Sequence, residues 1–253
     1  FHWGIAGAAY ATIFAQYVSG IGILLYILFR CRSLFPERKD LCFDGGILKE
    51  IAGLSSLTCL QQSVMNFGIL MVQGLVNSFG ATTMAAFAAA VKIDTFAYLP
   101  VQDFGNAYST FIAQNYGAGN KERIRRGTKE SFAISTAFSL VISALVFAFA
   151  APLMQIFVSS AETAVIASGV RYLRIEGAFY FGIGCLFLLY GYYRAIKRAE
   201  MSVVLTVISL GIRVLLAYVL SATFLGETGI WMAIPIGWIL ADLTGLLYMR
   251  KTW

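Results

Sequence analysis

Apolar residues fill long, nearly unbroken stretches at roughly 3–29, 51–78, 83–113, 131–157, 163–192 and 202–249, and the last parts near Gly226 into about 202–224 and 229–249. A helix rises 1.5 Å per residue and needs roughly 20 apolar residues to cross the hydrocarbon of a bilayer. The pattern therefore predicts seven transmembrane helices. Strand-like alternation is absent, which argues against a membrane barrel. The expected fold class is an all-α integral membrane protein.

The polar breaks carry a second signal. Arg30, Arg32, Arg38, Lys39 and Lys49 fill the first, Lys121, Arg123, Arg125, Arg126 and Lys129 the third, and Arg194, Lys197 and Arg198 the fifth; Arg250 and Lys251 close the chain. The breaks near 79–82, 151–162 and 225–228 hold no Lys or Arg. Because Lys and Arg collect on the cytoplasmic side of a membrane, the alternation predicts orientation, with the C-terminus cytoplasmic and the cell membrane as location. The segment 31–50, with Pro36 and charges of both signs, reads as a cytoplasmic linker. It divides a first helix, 1–30, from a six-helix unit, 51–253. The chain starts Phe1-His2-Trp3 on the predicted outer side, so it is expected to be the later part of a larger protein.

Composition narrows the class. Mean hydropathy is +0.75, and 13% of residues are charged against 59% hydrophobic; soluble chains carry about 25% charge. The net charge of +6 is parcelled into loops, where anionic lipid headgroups explain it better than nucleic acid. Cys31, Cys42, Cys59 and Cys185 show no metal or redox spacing and are expected to be free thiols. His2 is the single histidine, which leaves little room for imidazole catalysis or zinc. No phosphate-binding loop or nucleophile motif occurs, so no cofactor is expected. Any pumping would draw on a sodium or proton gradient.

Four acids fall inside predicted spans: Asp94, Asp103, Glu176 and Asp242. A charge in hydrocarbon costs several kcal/mol, so such acids face a cavity or a partner. Asp94 and Asp103 flank Pro100, and nine residues at about 100° each put them on opposite faces unless the proline reorients them. Asp103 shares its face with Asn106, and Glu176 shares a stripe with Tyr172 and Tyr180, where charge and ring faces together suit a cation. Lys92, Arg171, Arg174 and Arg213 are the four bases outside the basic loops, so structural ion pairing with the four acids is the plainer alternative. Arg213, deep in its span, is expected to be paired. Gln62, Asn66, Gln73 and Asn77 form a polar stripe, either a transport path or interhelical hydrogen bonding. The aromatic run from Phe179 to Tyr193 reads either as the lining of a drug pocket or, more plainly, as lipid-facing or interfacial packing. Pro100 and Pro235 are expected to kink their helices.

At Phe104-Gly105-Asn106-Ala107-Tyr108-Ser109-Thr110-Phe111-Ile112-Ala113-Gln114-Asn115-Tyr116-Gly117-Ala118-Gly119 the chain resembles the multidrug and toxic compound extrusion (MATE) family, in which a helix ends in Gln-Asn-x-Gly-Ala-Gly before a basic loop. Lys121-Glu122-Arg123-Ile124-Arg125-Arg126 supplies that loop. Further matches keep their order: Gly7-Ala8-Ala9 with Ala11-Thr12, Leu60-Gln61-Gln62 with Asn77-Ser78-Phe79-Gly80, Tyr172-Leu173-Arg174-Ile175 and Gly229-Ile230-Trp231. The resemblance implies the sixth helix of a twelve-helix, two-lobe transporter followed by its whole C-terminal lobe, with an N-terminal lobe missing. It also implies export of cationic or amphipathic small molecules by alternating access. One branch of the family places acids on the helices corresponding to Gln61-Gln62-Ser63 and Gly182-Ile183-Gly184-Cys185, where this chain has none. It thus looks closer to the DinF-like branch, whose coupling acid lies in the N-terminal lobe. A lipid-linked sugar flippase of the same superfamily would want a strongly cationic cavity. A membrane enzyme would want histidine or surface acid pairs. A non-transporting scaffold or an inactive fragment is the remaining alternative.

Overall fold

The computed structural model describes residues 4–31 and 42–252. Arg32, Pro36, Arg38, Lys39 and His2 thus lie outside the described residues. Among the described residues the chain forms eight helices: α1 (Gly4–Arg30), α2 (Gly45–Asn77), α3 (Ala81–Gly117), α4 (Lys121–Gln155), α5 (Thr163–Gly177), α6 (Tyr180–Ala195), α7 (Ala199–Ser221) and α8 (Glu227–Thr252). Six are long and apolar enough to cross a membrane, and α5 with α6 makes a seventh span bent by 52°. This is the all-α membrane architecture expected, with one difference: the stretch 163–192 is broken at Ala178-Phe179, although it holds no proline. The chain parts into two units between Glu50 and Ile51. In the first, α1 is exposed along most of its length, as an apolar helix with nothing of its own unit to pack on must be. α2 starts within the segment read as linker, because Asp44 Oδ1 accepts the backbone N–H groups of Gly46 at 2.7 Å and Ile47 at 3.2 Å, an N-cap.

In the second unit α3 lies against α4, α5 and α6, while α8 lies against α5, α6 and α7. Glycines set these crossings. A Cβ at Gly191 would fall 2.7 Å from the Gly105 carbonyl oxygen, and one at Gly237 would fall 2.3 Å from the Ser209 carbonyl oxygen, so α3–α6 and α7–α8 touch backbone to backbone. Close approach over small residues is the main packing device where lipid offers no hydrophobic drive. The Gln114–Gly119 motif is a helix-to-helix turn. Asn120 N–H bonds the Asn115 carbonyl at 2.9 Å, Gly119 takes a φ of +68°, and the Asn120 side chain caps α4 by accepting Arg123 N–H at 3.1 Å.

α3 stays helical through Pro100, and α8 through Pro235. The non-helical backbone instead falls at Phe149, three residues before Pro152 in α4. The aromatic run also departs from expectation. Tyr180, Tyr190, Tyr192 and Tyr193 are buried in the core rather than turned to lipid, because the glycines of α6 draw neighbouring helices over them.

Candidate functional site

Asp94 of α3 and Glu176 of α5 are brought together in the interior of the second unit, exposed by only 3% and 6%. Tyr180, the first residue of α6, donates its hydroxyl hydrogen bond to Asp94 Oδ1. The Tyr172 hydroxyl and the Arg213 guanidinium stand within electrostatic reach of both carboxyls. Asp94 Oδ2, Glu176 Oε2 and Arg213 Nε have no hydrogen-bond partner among the described residues. Two carboxyl groups therefore share one guanidinium in an apolar setting. Full ionisation would leave one uncompensated negative charge there, a costly state that a bound proton or small cation relieves.

Three parallel helices build the site in layers. Successive inward positions are Thr83, Phe87 and Asp94 on α3; Ser168, Tyr172 and Glu176 on α5; and Glu227 and Trp231 on α8. Steps of four residues advance a helix by about 6 Å and nearly repeat its facing, which aligns Thr83–Phe87, Ser168–Tyr172 and Glu227–Trp231; Asp94 follows Phe87 by seven residues, two turns further along the same face. In the outermost layer Glu227 Oε2 accepts the hydroxyls of Thr83 at 2.9 Å and Ser168 at 3.0 Å. Its Oε1 faces Arg171 Nη1 at 3.3 Å. In the middle layer Phe87 stacks on Trp231 with centroids 5.4 Å apart and planes within 8°. Tyr172 meets both edge-on, at 5.6 Å and 5.0 Å. The acid pair lies beneath.

The sequence candidates thus separate. Asp94, Glu176, Tyr172 and Tyr180 converge. Asp103 and Asn106 lie on the opposite, exposed face of α3, as their angular offset predicts, and Arg194 Nη2 donates to Asn106 Oδ1 at 3.4 Å. Gln62 and Asn66 are exposed and Gln73 is half-buried, bonding Asn77 at 3.1 Å, while Gln61 is the amide that α2 buries. The one-to-one pairing of four bases with four acids does not form. Arg171 takes Glu227 instead, and Arg174 lies 5.3 Å over the Phe147 ring. Asp242 sits by Cys185 of α6, with Oδ1 unpaired. Sequence reasoning missed Glu227 and Trp231. Their spacing to Thr83–Phe87 and Ser168–Tyr172 is visible only once the three helices are known to run side by side. The four cysteines are free, and no three His, Cys, Asp or Glu side chains gather as a metal site among the described residues.

The MatE family description matches residues 57–219. The chain is similar to a probable multidrug resistance protein YpnP of Bacillus subtilis, at 30% identity over 99% of this chain and 55% of that one. It is also similar to a probable multidrug resistance protein NorM of Thermotoga maritima, at 27% identity over 97% and 53%. An FAD transporter of Shewanella oneidensis matches at 25% identity over 92% and 51%. Among solved structures, an outward-facing multidrug resistance MATE transporter of the MOP superfamily superposes with a TM-score of 0.90 at 24% identity, covering 99% of this chain and 56% of that one. The chain thus spans about half the length of the curated relatives it matches.

Proposed function

Since this multi-pass membrane chain belongs to the MatE family, the multidrug and toxic compound extrusion transporters, we propose that it is the C-terminal lobe, with the helix before it, of an ion-coupled antiporter that exports cationic or amphipathic compounds. In this reading residues 1–30 close an N-terminal lobe, 31–50 link the lobes and 51–253 form the second. The lobes alternate access across the cell membrane, and the C-terminus is cytoplasmic. The coupling ion is a proton or sodium, and in this reading acids of the C-terminal lobe itself bind it, which departs from the DinF-like expectation of a coupling acid in the N-terminal lobe.

One observation carries the reading: the buried Asp94–Glu176 pair shares a single Arg213 and keeps a free oxygen on each carboxyl. Such a pair favours the lobe conformation that holds the ion when loaded and a different one when empty. A ligand shifts a conformational equilibrium only by its differential affinity for the two states, and an excess buried charge supplies that difference. Exposed Asp103 and Asn106 lie on the other face of α3, where an acid attracts a cationic substrate without touching the ion. This division of faces lets ion and substrate exchange through a shared rigid helix.

The test is gradient-driven efflux of a cationic dye by the full-length protein in proteoliposomes. Glu176→Gln and Asp94→Asn are each expected to lower the rate at least about tenfold, since each removes the charge that makes the ion necessary. Rates equal to the unaltered protein for both variants would remove the pair from coupling.

A further inference from the structure

We propose that Glu227 is the outer entrance site for the coupling cation, and that the Phe87–Tyr172–Trp231 layer is the seal it crosses to reach the Asp94–Glu176 pair. This rests on the reading of that pair as the coupling site. The geometry lies in the three stacked layers. Glu227 is the next acid outward from the pair along the aligned helices, one aromatic layer away. Its end of the bundle is the one that the uncharged breaks assign to the outside.

Glu227 suits an entrance. Thr83 and Ser168 hold one carboxylate oxygen, but the other meets only Arg171 at 3.3 Å, and that side chain is 52% exposed to Glu227's 21%. Long, exposed ion pairs of this kind are weak, so Arg171 can turn outward and leave the oxygen to an arriving cation. The aromatic layer is a tight barrier, with Trp231 fully buried. Yet it holds two polar groups, the Tyr172 hydroxyl, which stands by the acid pair, and Trp231 Nε1, which has no hydrogen-bond partner among the described residues. Buried donors are nearly always satisfied. The indole N–H can hydrogen-bond water, and ring faces stabilise a passing cation. The same residues bridge α3, α5 and α8, so a shift of α8 that breaks the Glu227 bonds also unstacks Phe87 from Trp231. Entrance and seal then open together.

The full-length protein is reconstituted with a trapped pH-sensitive or sodium-sensitive dye and no substrate. Trp231→Ala, with Phe87→Ala as a second variant in case the first does not fold, is expected to leak protons or sodium at least about tenfold faster. The vesicles should still retain trapped calcein, and the dye that responds identifies the ion. Adding Glu176→Gln is expected to return the leak to baseline, because the route runs through the pair. Glu227→Gln is expected to raise the outer ion concentration needed for half-maximal exchange at least about fivefold. Tight membranes in both folded aromatic variants, a leak indifferent to Glu176→Gln, or an unchanged half-maximal concentration in Glu227→Gln would each overturn the proposal. Failure of the coupling reading shows separately, as intact efflux in the Glu176→Gln variant of the otherwise unaltered protein, while the leak still reports on the seal.

Discussion

Among single residues, Arg213 is the least comfortable. Its Nε is buried without a partner among the described residues, and it is the cation that both inner acids share. Arg213→Ala leaves two buried carboxyls without compensation, which is far costlier than losing a surface pair. Folded yield from the membrane is expected to fall, and adding Glu176→Gln is expected to restore much of it by removing one acid. A double variant no better than the single would show that Arg213 acts through packing alone. Tyr180→Phe removes the hydrogen bond to Asp94 and leaves the ring in place. A cost of about 1–3 kcal/mol is expected, as for an acceptor that loses its donor in the interior, read as a lower melting temperature. Asp103 separates substrate from ion at this scale. Asp103→Asn is expected to raise the apparent KM for a dication more than for a monocation, with the ion concentration for half-maximal exchange unmoved; an effect on the ion alone would place Asp103 with the inner acids instead.

At the scale of elements, the helices are legible in the apolar pattern and their crossings are not. Gly191 and Gly211 look alike in the sequence, each a glycine flanked by large apolar or aromatic residues within a helix. A Cβ at Gly191 meets the Gly105 carbonyl at 2.7 Å, whereas one at Gly211 meets nothing within 4 Å. Gly191→Ala is therefore expected to destabilise by about 1–3 kcal/mol, since backbone cannot step aside. Gly211→Ala is expected to stabilise by about 0.4–1 kcal/mol through the unfolded chain. Thermal melts of the two purified variants check both, and equal shifts would contradict the crossing geometry. Gly184 lies between these cases, because its Cβ would press on the hydroxyls of Ser135 and Ser139 at 2.9 Å, which can rotate. The break between α5 and α6 belongs here too. A run of apolar residues without proline reads as one helix, and only tertiary contact decides that it bends at Ala178-Phe179 and delivers Tyr180 to Asp94 rather than past it.

For the whole molecule, the loop charges argue topology. Alkaline phosphatase fused within 159–161 is expected to be active and a fusion after Lys197 inactive, with green fluorescence from a C-terminal fusion; the reverse pattern would invert the assigned orientation.

Span number, helical class, the membrane setting and the family were already legible in the residues. These depend on local hydropathy, helix rise and short turn motifs such as Gln114–Gly119, and each is a property of neighbours in the chain. The same locality supplied the candidate acids, since any charge in an apolar run is conspicuous, and it placed Asp94 and Asp103 on opposite faces by simple angular arithmetic. Which acids meet was decided by tertiary structure alone. Asp94 and Glu176 are 82 residues apart in number and join because α3 packs against both α5 and α6, its crossing with α6 made over Gly105 and Gly191. Glu227, conspicuous in no local pattern, acquires its place from two hydroxyls on other helices. The amide stripe of α2 shows the converse, a clear periodic signal whose exposed side chains join no part of the inner site. Periodicity reports which face of a helix is polar, while the choice of neighbour is settled by steric fit over long sequence separations, and a linear pattern does not encode that fit.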